Sequence, residues 1–208
     1  MMPREPREVT ELYSGVRRAL DMVCENGIPV GNCKHGVYLF YDYDGEPIYV
    51  GQTSEELRVR IRRHLTNQRT DAVAMSILDP FEVAEIEMWP FWDIAGNVRE
   101  TLNRAEFTVY EQALRQSRFD AVLNERQVTP AETMTLPPSI RASILSDELR
   151  RQREHPDIRI ARRARTIAEL ARRISERQVT VGIRRTLLAQ AERLEWLART
   201  RLEEIENG

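Results

Sequence analysis

Leu12, Val16, Leu20 and Val23 recur at steps of three and four, which predicts an amphipathic helix over residues 8–26 with Gly27 as its stop. The period then changes. Two short aromatic and β-branched runs, Val37–Tyr41 and Ile48–Val50, flank Asp44-Gly45 and predict an antiparallel hairpin, with Pro47 opening the second strand. Ser54 reads as a helix cap, Glu55 and Glu56 suit the first turn, and the helix is expected to run to about Leu65. "PFEVAEIEMWPF" alternates apolar and acidic residues, a third strand over Glu82–Met88 that Pro90 ends. A loop with Trp92 and Gly96 leads to a second long helix, about Val98 to Arg118.

Beyond that helix "FDAVLNERQVTP" reads as extended or irregular, and Pro130, Pro137 and Pro138 mark a linker. Ile160, Ala164, Ile167, Ala171 and Ile174 then alternate steps of four and three, as do Leu187, Ala191, Leu194 and Ala198. With "QVTVG" between them, capped at Thr180, they predict two antiparallel helices sharing one seam. The expected architecture is α+β: a small three-stranded antiparallel sheet flanked by helices, with a C-terminal α-helical hairpin arm. The expected division is a lead-in over 1–35, a domain over 36–130, a linker over 131–138 and the arm over 139–208.

Composition narrows the class. With 208 residues, 41% hydrophobic and 31% charged, the chain can bury a real core. No apolar run approaches the roughly 20 residues that span a bilayer, and the first residues lack a signal-peptide core, so a cytoplasmic protein is expected. Cys24 and Cys33 make no disulfide framework, and with His35 they match no zinc spacing, so buried thiols are the expectation. The charge of −2 is unevenly spread: residues 1–138 balance at −7 and residues 139–208 at +5. Residues 150–185 hold 12 arginines against four acids, a basic face that is either solvated or turned to DNA. Thirty of the 31 basic residues are arginine, which biased codon usage explains as readily as phosphate recognition.

Chemistry concentrates between residues 36 and 124. "GVY" (36–38), "YVG" (49–51), "RIRRH" (60–64), "YEQAL" with Glu111, and "LN" ending at Asn124 occur in the order and spacing that resemble the GIY-YIG nuclease family, with valines at 37 and 50 where the family has isoleucines. The resemblance implies metal-dependent hydrolysis of DNA phosphodiesters, with Tyr38, Tyr49, Arg60, His64, Glu111 and Asn124 as site residues. Glu111 would be the metal ligand for one Mg²⁺ or Mn²⁺, and Asn124 a hydrogen bonder that holds loop and ligand in place.

The residues themselves suit that chemistry. Tyrosines on paired strands can aim two phenols into one pocket, and a phenol with a pKa near 10 needs nearby cations before it can act as a base. Arg60 can grip a phosphate through paired donors, and His64, four residues on, shares its helix face. Tyr38 as base is favoured by the resemblance alone. Glu106 competes with Glu111, but it falls inside the apolar stripe of its helix, where burial would be awkward. Gln52, Thr53, Arg58 and Arg63 are candidate DNA contacts. Trp89, Phe91 and Trp92 form an aromatic cluster that seals a core or subunit interface more readily than it stacks on a base. The expected activity is a metal-dependent DNA endonuclease in restriction or defence or in a mobile element, with DNA as partner and a homodimer plausible. The alternatives are a repair incision nuclease and a non-catalytic nucleic-acid-binding module on a nuclease scaffold.

Overall fold

The computed structural model describes residues 7–66, 78–124 and 128–208. In chain order it contains α1 (Arg7–Leu20), β1 (Gly36–Tyr41), β2 (Pro47–Thr53), α2 (Leu57–Thr66), β3 (Glu85–Pro90), α3 (Val98–Gln116), β4 (Ile140–Ser143), α4 (Asp147–Arg153), α5 (Pro156–Glu176) and α6 (Val181–Asn207). The sheet is antiparallel throughout, in the order β2-β1-β3-β4.

Four strands replace the three expected. Ile140–Ser143 pairs with Glu85–Met88 on β3, and the side chains reinforce the ladder: Arg141 bonds Glu85 at 2.7 Å and Ser139 bonds Glu87 at 2.7 Å. The strand is only four residues long and follows two prolines that read as a linker. Proline is excluded from a central strand but not from the residues before one. Other differences are shifts of boundary. The first helix ends at Leu20, and β3 starts at Glu85, because Pro80–Glu82 forms a 3₁₀ turn capped by the Asp79 side chain.

Alternation along β1 divides the core. Tyr38 and Phe40 face α1 and α2, whose Leu12, Val16, Leu20, Leu57, Ile61 and Leu65 close one cluster. Val37, Leu39 and Tyr41 face α3, whose Leu102, Ala105, Val109 and Ala113 close the other. Trp89 and Phe91 are buried in that second cluster, so these aromatics belong to the core.

The α5–α6 pair is antiparallel, with Arg201 near the end of α6 bonded to Asp157 at the start of α5 at 3.2 Å. It packs directly on the β1–β2 hairpin. Arg159 reaches Asp44 at 2.7 Å, Arg163 reaches Asp42 at 2.7 Å and Glu82 at 3.2 Å, and Arg162 reaches Glu82 at 3.1 Å. Arg193, 1% exposed, donates to the Pro47 and Ala121 carbonyls, and burial pulls its guanidinium down to about 10. The basic face expected for residues 150–185 is thus turned partly inward: Arg150, Arg153, Arg159, Arg162 and Arg163 engage Glu85, Phe81, Asp42, Asp44 and Glu82.

Buried charges released from their partners are costly. Arg163→Leu, which strips Asp42 and Glu82 of one guanidinium, is expected to lower the unfolding free energy in urea by about 3 kcal/mol. Arg165→Leu, at an exposed position of the same helix, is expected to change it by less than about 0.5 kcal/mol.

Candidate active site

Register places the tyrosines. Tyr38 lies opposite Gly51 and Phe40 opposite Tyr49, so Tyr38 and Tyr49 are diagonal neighbours on one face, with ring centroids 6.4 Å apart. The Tyr38 ring extends across Gly51. A Cβ at position 51 would sit 2.5 Å from the Tyr38 hydroxyl oxygen and 2.6 Å from its Cζ. The glycine of "YVG" is therefore the space that the phenol occupies. Gly36 plays the same part beneath α2, where a Cβ would meet the Leu57 side chain at 2.8 Å.

Helix α2 supplies the cation and the imidazole. Arg60 Nε donates to the Tyr38 hydroxyl at 3.3 Å. His64, 3% exposed, packs its ring 5.3 Å from Tyr49 and 5.9 Å from Tyr38. Neither His64 ring nitrogen has a hydrogen-bond partner among the described residues. Burial, with Arg60 and Arg63 nearby, pulls this histidine down to about 4, so it is neutral at physiological pH. Burial pushes Tyr38 up to about 12, and Arg60 offsets only part of that.

The carboxylate whose charge is felt by this group is Glu106. Its Oε2 accepts from Gln52 Nε2 at 2.9 Å, and its charge acts on both Tyr38 and Arg60. Desolvation raises Glu106 to about 7, against the Gln52 hydrogen bonds and the Arg60 charge that favour its ionised form. Glu111 lies elsewhere. It pairs with Arg115 at 3.7 Å, and five residues along a helix carry it about 140° round the axis from Glu106, so the two cannot face the same phenols.

The meeting place is the edge of the sheet. Gln52 is opposite Val37, on the face away from Tyr38, yet β2 is the edge strand and Gly51 has no side chain to separate the two faces. Upstream, that edge is covered. Asn124 receives the Val50 N–H at 3.1 Å and donates to the Val50 carbonyl at 2.8 Å, while Leu123 N–H bonds the Ile48 carbonyl at 2.7 Å. Asn124 thus acts as a strand mimic that pairs the edge as far as Val50. The Tyr38–Arg60 pair lies where this pairing stops, with Gln52 and Glu106 on the other face of the same edge.

The remaining candidates are engaged within the chain. Thr53 closes a turn, its hydroxyl accepting from the Glu55 N–H at 3.1 Å. Arg58 bonds Asp21 at 2.7 Å, and Arg63 pairs with Glu55. Cys24 and Cys33 are free thiols pushed up by burial, and among the described residues no three His, Cys, Asp or Glu side chains converge as a metal cluster.

Residues 34–103 match the family model of the GIY-YIG catalytic domain, which supports a nuclease-type function in general and takes in Tyr38, Tyr49, Arg60 and His64. Comparison with curated proteins and with solved structures gives no match.

His64 has a consequence for stability. Folded, it titrates near 4; unfolded, near its ordinary 6.5. The unfolded chain takes up the proton first, so the stability present above pH 6.5 is lost as the pH falls from 6.5 to 4. His64→Phe is expected to flatten that part of the decline in urea midpoints measured against pH.

Proposed function

We propose that the chain is a metal-dependent endonuclease that hydrolyses DNA phosphodiesters at the edge of β2. The observation that carries this reading is Glu106, a partly buried carboxylate that accepts from Gln52, next to Gly51 on the edge strand, and whose charge acts on both Tyr38 and Arg60. Among the described residues no arginine closes an ion pair on it, and its hydrogen-bonding partner is Gln52. A single carboxylate at a raised pKa suits a hard divalent cation, Mg²⁺ or Mn²⁺, which takes one or two carboxylates and fills its other positions with water and phosphate oxygens. One ion per site follows from one such carboxylate, held by Glu106 rather than Glu111.

The bound cation would supply positive charge at the phosphoryl and leaving oxygens. The protein's own groups supply positioning and a fixed charge. Arg60, with one N–H on Tyr38, directs its remaining donors to the non-bridging oxygens of the scissile phosphate. Tyr38 retains its proton at neutral pH and orients the attacking water by hydrogen bonding. His64, too weak a base to hold a proton at neutral pH, fixes the tilt of both tyrosine rings. Asn124 keeps the upstream edge of β2 closed, so that substrate is admitted only beside Gly51 and Gln52.

One such site cuts one strand, and two copies are needed for both. The exposed Val181, Leu188, Leu202 and Ile205 on α6 suit association with a second copy. Among the described residues no helix is long and apolar enough to cross a membrane.

With supercoiled plasmid and Mg²⁺, the protein is expected to produce nicked circles, and a chelator to stop it. Glu106→Gln should reduce nicking by about 100-fold or more, while Glu111→Gln should cut at close to the wild-type rate. The reverse order of the two variants would overturn the assignment of the carboxylate. Absence of nicking by the wild-type protein across diverse and methylated substrates would favour a non-catalytic binding module.

A further inference from the structure

We propose that Gln52 is the positioning residue for the site's carboxylate, and that Asn103 locks the Gln52 amide in the orientation this requires. The inference rests on the reading of Glu106 as the cation-binding group. Both amide protons of Gln52 are engaged: Nε2 lies 2.8 Å from Asn103 Oδ1 and 2.9 Å from Glu106 Oε2. An ionised carboxylate only accepts, so the amide nitrogen must face Glu106. The second proton then points to the Asn103 oxygen, and a flipped amide would set its own oxygen against two acceptors. Asn103 stands three residues before Glu106 on α3, on the same helix face, which puts both acceptors within reach of one side chain.

The main chain adds to this hold. Val50 directs its N–H and carbonyl outward to Asn124, and alternation in an antiparallel ladder directs those of Gln52 outward as well. The Gln52 main-chain N–H also favours the ionised form of Glu106. A carboxylate offers about four lone-pair sites, so the Gln52 amide sets its orientation and leaves other sites for a cation. Outer-shell partners of this kind govern metal affinity by about 10–100-fold.

A purely structural Gln52, stitching α3 to the edge strand, would alter thermal stability but not cation affinity. The discriminating measurement is Mn²⁺ binding to the full chain without DNA, followed by electron paramagnetic resonance of the free ion, beside thermal melts without metal. Gln52→Leu is expected to weaken Mn²⁺ binding by about 10-fold or more. Asn103→Ala, which keeps Gln52 but frees its amide, should weaken it several-fold and carries the test should Gln52→Leu fail to fold. Wild-type Mn²⁺ affinity in Gln52→Leu, or in Asn103→Ala if only that variant folds, would overturn the proposal. Glu106→Gln separates the two levels. Loss of Mn²⁺ binding there with none in Gln52→Leu refutes the positioning role alone, whereas retained binding in Glu106→Gln refutes the carboxylate assignment beneath it.

Discussion

The candidate site depends on an absent side chain. Tyr38 is fully buried, and its hydroxyl occupies the volume that a Cβ at position 51 would need. That one vacancy decides the path of the ring, and with it the distance to Arg60. It also explains how groups from opposite faces of a sheet act on one another. An edge strand has no neighbour on its outer side, and a glycine in it removes the last barrier between the faces.

Burial sets the electrostatic character of the site. Desolvation opposes charge on all three titratable groups, holding the phenol and the imidazole neutral and bringing the carboxylate near 7, while Arg60 remains cationic. One fixed positive charge beside one half-titrating carboxylate would suit the polyanion and small cation proposed for this site. Such a pocket is tuned by what enters it, because each incoming charge acts in a medium that screens it weakly.

The hairpin, the tyrosine pairing and helices α2 and α3 were legible in the sequence because their signals are local: an Asp-Gly turn, a two-residue period, a helical stripe. The spacing of Arg60 and His64 likewise put both on one helix face. The carboxylate proposed here, Glu106, ranked second to Glu111 in the sequence for a physical reason. A glutamate on the apolar stripe of a helix looks like an error when burial counts only as a penalty, and Glu111 at the stripe's edge looks better placed. Burial is what lifts Glu106 to about 7. Strand β4 escaped notice because four half-covered residues after two prolines carry little periodic signal. The inward turn of Arg159 and Arg163 was not legible at all, since Asp42 and Glu82 lie 121 and 81 residues from Arg163 in the chain.

Strand β4 and the guanidiniums of α5 also determine how the chain can be divided. Proline-rich segments such as 130–138 invite the idea of a portable cutting module, detachable for fusion to some other recognition domain. Here Met134 N–H is tied to the Thr108 hydroxyl, and the sheet's last strand lies beyond the prolines. A fragment ending at residue 138 would bare the hydrogen-bonding rim of β3, a template for intermolecular strand addition, and leave Asp42 and Glu82 without the cations that surround them. Grafting would therefore succeed only with the helical pair carried along.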